Sequence, residues 1–78
     1  MKDGTEYRTR NLSEGAFIIA RGVPLARLEP SPQRFVWLVF PADARGIGYE
    51  FYRDGVASCR AFIRTLQDLR DRVRAVRG

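Results

Sequence analysis

The sequence feature that most constrains the fold is an uninterrupted apolar run at 35–40, Phe-Val-Trp-Leu-Val-Phe, which ends at Pro41. Aromatic and β-branched residues fill this run, so it predicts a strand at the centre of a sheet. Because side chains alternate along a strand, Phe35, Trp37 and Val39 lie opposite the face that packs in the core. A strand with no polar position has no solvent face, so this second face needs a cover of its own.

The composition is that of one small basic domain covering 1–78. The chain is 45% hydrophobic and 29% charged, which is too apolar for a disordered protein, and its 78 residues leave no room for a second core. Its 14 basic residues, 13 of them Arg, outnumber 9 acidic residues. Six of the Arg residues stand in 57–78 against two Asp, so the excess positive charge lies in the C-terminal segment.

The absence of His and the presence of a single Cys exclude several classes of site. Cys59 is the single cysteine and there is no His, which excludes an intrachain disulfide, a Cys/His zinc site and a His-dependent catalytic triad. The N-terminus has no apolar signal-peptide core, and no apolar run approaches the ~20 residues that span a bilayer. We therefore predict a cytoplasmic protein with no cofactor, no metal and no membrane contact.

A capping pattern predicts the first helix. Asn11 is a typical N-cap residue, and Glu14 stands at the capping-box spacing, where each side chain accepts a hydrogen bond from the other residue's backbone N–H. The helix is predicted over 12–21 with Gly22 as its C-cap. Gly15 inside the helix lowers helix propensity, so we expect it to mark a close contact with the sheet.

Two prolines within 30–33 predict the loop of a β-hairpin with arms at 23–29 and 34–40, and the alternating segment 6–10 predicts a short edge strand. Alternation in the first arm directs Ala26 and Leu28 toward the core. The same alternation places two residues, Leu25 and Arg27, on the side of Trp37.

The C-terminal segment predicts the longest helix, an Arg-rich helix over about 59–76 that begins at the N-cap Ser58. Its apolar seam has helical spacing and consists of Phe62, Leu66, Leu69, Val73 and Val76. A shorter helix is predicted over 42–53, and Asp68 and Arg72 have the spacing of an exposed ion pair. The predicted architecture is an α+β fold of order β-α-β-β-α-α, with the first and last helices packed on a three-stranded antiparallel sheet.

This order of elements resembles a family of short bacterial and phage proteins catalogued as a domain of unknown function, DUF5659. The resemblance spans nearly the whole chain and is carried by the segments 7–12, 16–22, 36–40 and 52–55, and by the Phe62/Leu66/Leu69 helix. The chain departs from the family pattern at Trp37, where the family is usually polar. The resemblance implies the fold and an origin in phages or mobile elements, and it implies no catalytic residues.

Three groups of residues are candidates for catalysis or phosphate binding. Gly46 and Gly48 are a fragment of a phosphate-binding loop that lacks the Lys-Ser/Thr of a P-loop. Glu50 and Asp54 have the spacing of a solvated helix face as well as that of an acid/base pair. Cys59 has no base near it in the sequence, so we predict a semi-buried structural cysteine. We therefore predict no catalytic residue and no enzyme.

The preferred prediction is weak binding of DNA or RNA through the last helix, at Arg60, Arg64, Arg70, Arg74 and Arg77. The alternative is a protein-interaction module, a homodimer or a subunit of a larger complex. Its predicted interface is the face of Trp37, with Phe35, Val39, Leu25 and Arg27. A further possibility for that face is a stacking platform for single-stranded nucleic acid, to which Arg8, Arg10 and Arg27 would add positive charge.

Overall fold

The computed structural model describes residues 6–53 and 55–77, except for the side chain of Arg77. Six elements follow one another along the chain: β1 (Glu6–Thr9), α1 (Leu12–Ala20), β2 (Arg27–Pro30), β3 (Val36–Pro41), α2 (Ala44–Phe51) and α3 (Cys59–Arg77). This order and the antiparallel pairing of the strands confirm the predicted α+β fold.

The apolar strand β3 is the middle strand of the sheet, whose order is β1-β3-β2. Tyr7 and Thr9 of β1 pair with Phe40 and Leu38, and Leu28 of β2 pairs with Leu38 from the other side. Directly paired residues share a face of the sheet, so these side chains form one face, which we call the inner face.

All three helices contribute to the core on the inner face. The core is a cluster of fully buried side chains from four elements: Ala16, Ile18, Leu38, Phe40, Ala44 and Leu69. Most of the predicted apolar seam of α3 packs here, with Phe62 and Leu66 against the cluster and Val73 buried beside it. The last predicted seam residue, Val76, is not in the core, because its side chain is 40% exposed. One face of β3 is therefore covered as its sequence predicts.

Gly15 allows α1 to lie directly on the sheet, as predicted. A methyl group at this position would collide with the side chain of Leu38, and it would lie 3.5 Å from that of Leu69. The lower helix propensity of glycine is thus offset by close packing against the middle strand and α3.

The ends of α1 confirm one half of the predicted capping box and correct the other half. The Asn11 side chain accepts from the backbone N–H groups of Ser13 and Glu14, and Gly22 has the left-handed φ of 107° that favours glycine. The backbone N–H of Asn11, however, donates to the Thr9 hydroxyl at 3.1 Å. The Glu14 side chain is turned instead toward hydroxyl groups that surround it inside the fold.

The start of the hairpin differs from the prediction. Strand β2 begins only at Arg27, so the strict alternation of a strand does not extend back to Leu25 and Ala26. Leu25 packs against the core cluster, although it was predicted on the opposite face, and Ala26 is exposed, although it was predicted in the core. Leu28 faces the core as predicted.

The last two helices follow the sequence pattern. α2 is short, with eight residues, and α3 begins next to Ser58, whose side chain accepts from the backbone N–H of Ala61. The ion pair observed on α3 joins Arg74 and Asp71, whereas the expected pair between Asp68 and Arg72 is absent from the described residues.

Candidate nucleic-acid interface

Helix α3 presents its arginine side chains to solvent. Its apolar seam is turned toward α1 and the sheet, which leaves the remaining circumference of the helix exposed. Four of the five arginines predicted to bind nucleic acid are exposed there: Arg60, Arg64, Arg70 and Arg74. Arg72 is exposed as well, and the fifth predicted residue, Arg77, lies outside the described side chains.

The four exposed arginines form two pairs at the helical spacing of four residues. A rise of 1.5 Å per residue places Arg74 about 21 Å along the helix axis from Arg60. The turn of about 100° per residue puts the Arg60/Arg64 pair and the Arg70/Arg74 pair on adjacent sides of the helix. The positive surface therefore winds along α3. A flexible single strand can follow such a path more easily than a stiff duplex can.

Ion pairing separates the arginines of α3 from those of the sheet. Among the described residues, Arg60, Arg64 and Arg70 form no ion pair, and Arg74 has a long contact of 3.8 Å with Asp71 in which both side chains are largely exposed. Such a contact contributes little in water. The positive charge of α3 is therefore available to an external anion.

The first two turns of α3 also carry apolar surface. Ile63 is 50% exposed and lies with Cys59 in a shallow groove that Arg60, Arg64 and Gln67 complete. Apolar and arginine side chains therefore line the same groove.

On the outer face of the sheet, opposite the inner face, Val39 does not take part in the predicted interface, because it is fully buried within the protein. Arg8 of β1 and Arg27 of β2 are its partners on the two neighbouring strands, so both long side chains lie beside it. They are joined to two glutamates in a chain of ion pairs, Arg8 to Glu29 at 2.6 Å and Arg27 to both Glu6 and Glu29 at 2.6 Å. These salt bridges cover Val39, whereas Phe35 and Trp37 on the same face of β3 stay partly exposed.

The same ion pairs count against the outer face as a phosphate-binding platform. Arg8 and Arg27 were predicted to add positive charge there, but Glu6 and Glu29 neutralise them. The guanidinium group of Arg10 lies over the Phe35 ring, 4.5 Å from its centroid, and occupies a stacking position. Trp37 meets Phe35 edge-on and stays half-buried, so the predicted interface is reduced to these two aromatic residues with Arg27 at their margin.

The ion pairs of the outer face predict a loss of stability in acid. The guanidinium of Arg27, through its hydrogen bonds, lowers the pKa of both Glu6 and Glu29 below the ordinary value. A carboxyl group whose pKa is lowered by folding stabilises the fold above its unfolded pKa of ~4.3, and this stabilisation is lost as the pH falls through the folded value. Thermal unfolding of the wild type and of Arg27→Gln between about pH 7 and pH 2 tests this.

The difference in melting temperature between the two proteins should be largest near neutral pH and should shrink below about pH 4, where the glutamates become protonated. A difference that stays constant over this range would show that Arg27 stabilises the fold without its carboxylate partners.

A buried polar cluster that the sequence reading missed surrounds Glu14, which is only 2% exposed. Its carboxyl group accepts hydrogen bonds from the hydroxyls of Tyr7, of Thr9 at 2.7 Å and of Tyr52 at 2.9 Å. The cluster thus joins α1 to β1 and to the end of α2. Its sequence signal is the period-two spacing of Tyr7 and Thr9, which places two hydroxyl groups on the inner face where they need an acceptor.

Two features of the Glu14 cluster favour a structural role. Burial and the hydrogen bond to Glu14 raise the pKa of the Tyr7 hydroxyl above its ordinary value, so the neutral donor is favoured. Gly48 leaves the space for the cluster, because a methyl group there would lie 2.6 Å from Glu14 Oε2 and 2.8 Å from the Tyr7 hydroxyl.

The remaining candidates from the sequence do not come together as a catalytic or phosphate-binding site in the described residues. Gly46 and Gly48 lie within α2, so they do not form a loop that could hold phosphate. Glu50 is engaged by Arg21 at 2.5 Å, and Asp54 lies outside the described residues. Cys59 is exposed on the first turn of α3, so the prediction of a semi-buried cysteine is wrong. In 6–53 and 55–77 no group of three potential metal-ligating side chains comes together, and no helix there is long and apolar enough to cross a membrane.

Comparison with known proteins gives no relative. No family model, no curated protein and no solved structure matched the chain. Membership of the DUF5659 family therefore stays a prediction, which depends only on the sequence pattern described above.

Proposed function

We propose that the protein is a small non-enzymatic accessory protein of the cytoplasm, of phage or mobile-element origin, that binds nucleic acid weakly through α3. The observation that carries this proposal is the difference between two sets of arginines. Arg8, Arg21 and Arg27 are held by glutamates, whereas Arg60, Arg64 and Arg70 have no acidic partner among the described residues. An unneutralised set of arginines along one helix is the electrostatic footprint of a polyanion-binding surface.

The expected mode of binding is contact with phosphates, without reading of the sequence. Arg guanidinium groups hold phosphate oxygens in bidentate fashion, and release of counterions drives the association. Binding of this kind has dissociation constants of roughly 10⁻⁴ to 10⁻⁶ M at physiological salt. The proposed activity is therefore best measured at low salt.

The test is a titration of labelled single- and double-stranded oligonucleotides at about 50 mM salt, where screening is weak. We expect the wild type to bind and the variant R60Q/R64Q/R70Q/R74Q to lose binding. Exposed substitutions usually change stability by no more than ~0.5 kcal/mol each, so the variant should stay folded by circular dichroism. Absence of binding of the wild type to both oligonucleotides would refute the proposal.

A second candidate function, a protein-interaction module, is favoured by the outer face of the sheet. The core helices lie on the inner face, and Phe35 and Trp37 remain partly exposed on the outer face. Aromatic side chains of this kind are enriched at protein interfaces. The partner that we propose for this function is a second copy of the chain.

The homodimer candidate predicts an equilibrium that depends on protein concentration. Trp37→Lys should convert the dimer to a monomer in sedimentation equilibrium, because a charged group would be buried in the interface. Gln67→Lys is the matched control, because it adds the same charge at an exposed position of α3, which packs on the inner face of the sheet. A wild-type protein that remains monomeric at millimolar concentration would eliminate this candidate.

A further inference from the structure

Helix α2 carries a second exposed surface that the proposed function does not use. Arg45, Tyr49 and Arg53 recur at intervals of four residues and Tyr52 follows Tyr49 by three, so the four side chains lie on one side of the helix and its last turn. Tyr49 is 61% exposed and Tyr52 is 62% exposed. Most large aromatic residues of a folded domain are more deeply buried than these.

The ring of Tyr52 is fixed in place although it is exposed. Its hydroxyl donates to Glu14 at 2.9 Å and accepts from the Asn11 side chain at 3.2 Å. Its ring also meets Phe51 edge-on, with 5.0 Å between the centroids. Because the contact with Phe51 and the hydrogen bonds of its hydroxyl already hold the ring, a planar ligand that stacks on it does not have to order it first.

The charges around the two tyrosines favour an anion. Arg45 and Arg53 are exposed, and neither forms an ion pair among the described residues. Glu50 is the acidic residue of α2, and its carboxylate is occupied by Arg21. Exposed aromatic rings between unneutralised arginines match a strand that offers planar bases and phosphates together.

We propose that the surface formed by Arg45, Tyr49, Tyr52 and Arg53 stacks unpaired bases, so that the nucleic acid bound by this protein is single-stranded. This inference rests on the proposed function, since it names the class of nucleic acid that reaches α3. The bases of a duplex are stacked on one another and do not present their faces to a surface such as this. In this proposal α3 binds phosphates, and α2 stacks the bases of other nucleotides of the same strand.

The test compares three probes of one length: oligothymidylate, the same backbone without bases, and a duplex. Stacking is worth roughly a 5- to 150-fold gain in affinity per base, so the wild type should prefer oligothymidylate to the abasic strand by at least about fivefold. Tyr49→Leu should reduce this ratio and leave binding of the abasic strand unchanged. Tyr49→Phe is the matched control, since it keeps the ring and should keep the ratio.

Tyr49 is chosen because its loss removes none of the observed hydrogen bonds of the Glu14 cluster. A second variant, Tyr52→Phe, keeps the ring but removes its hydroxyl anchor. We expect it to retain part of the preference, because the ring is still present but is less firmly held. Circular dichroism establishes that each variant is folded before the ratios are compared.

The outcomes separate this inference from the proposed function. Equal binding of oligothymidylate and the abasic strand, or a ratio that Tyr49→Leu does not change, would overturn the inference and leave α3 as the phosphate-binding surface. The same result is expected if the tyrosines serve a protein partner instead. Failure of all three probes to bind would overturn the proposed function itself. R60Q/R64Q/R70Q/R74Q should weaken all three probes and preserve the ratio between the two single strands.

Discussion

Replacing Glu14 by Leu is expected to lower the free energy of unfolding by about 3 kcal/mol, because the substitution leaves two hydroxyl donors inside the fold without an acceptor. Thr9 is buried and Tyr7 is partly buried, so water cannot readily replace the lost carboxyl group at either. An unsatisfied buried donor costs roughly 1–3 kcal/mol. The third donor, Tyr52, is largely exposed and can turn to solvent.

A loss of this size is a large fraction of the total, since a domain of 78 residues has a stability of about 4–12 kcal/mol. The midpoint and slope of urea unfolding measure the loss, and the melting temperature should fall by about 4–8 °C for each kcal/mol. Glu14→Gln should have a smaller effect, because its side-chain oxygen still accepts from a hydroxyl.

Glu50→Leu is the matched control for this prediction. Glu50 also stands on a helix and also has a partner, Arg21, but it is exposed, and the loss of an exposed ion pair costs ~1 kcal/mol or less. Equal destabilisation by the two substitutions would contradict the role that we assign to the Glu14 cluster.

Nucleic-acid binding is expected to depend steeply on salt, and this is the second large effect. Four phosphate contacts, from Arg60, Arg64, Arg70 and Arg74, give a slope of log K against log salt of roughly −2.8 for single strands and roughly −3.6 for duplexes. A fourfold rise from about 50 to about 200 mM salt should therefore weaken binding roughly 50- to 150-fold. Titrations at four or more salt concentrations measure this slope. An affinity that does not change with salt would contradict phosphate contacts as its source.

The parts of the fold that depend on periodicity can be predicted from the sequence. The apolar run of β3 predicts a middle strand, the spacing of Leu66, Leu69 and Val73 predicts the buried side of α3, and Gly15 predicts the close contact with the sheet. These predictions succeed because they depend on local properties, namely the hydrophobic spacing within an element and the low helix propensity of glycine.

The parts that depend on contacts distant in the sequence could not be predicted. The partner of Glu14 at Tyr52 is 38 positions away, and a local capping pattern offered a nearer role for the same side chain. The cover of Val39 likewise requires Arg8 and Arg27 to lie on either side of one strand, which only the strand order β1-β3-β2 reveals. Leu25 was placed on the wrong side because the sequence does not mark where β2 begins.

The candidate site shows the same division between local and distant information. The exposed position of Arg60, Arg64, Arg70 and Arg74 follows from the helical spacing of α3. Sequence reading could not tell which arginines of the chain have acidic partners, because Arg8 and Glu29 are separated by 21 positions and Arg21 and Glu50 by 29. Only the folded structure therefore distinguishes the arginines that form ion pairs with glutamates from those that form none among the described residues.

The positive surface of α3 is tested most directly by the salt slopes of two double variants that change the net charge equally. R70Q/R74Q removes two arginines of α3, and R8Q/R27Q removes two arginines that glutamates already hold. We expect R70Q/R74Q to reduce the magnitude of the slope for a single strand by roughly 1.4, since two phosphate contacts are lost, and we expect R8Q/R27Q to leave the slope unchanged. Equal slopes for the two variants would contradict binding through α3 and would assign the affinity to the net charge of the whole protein.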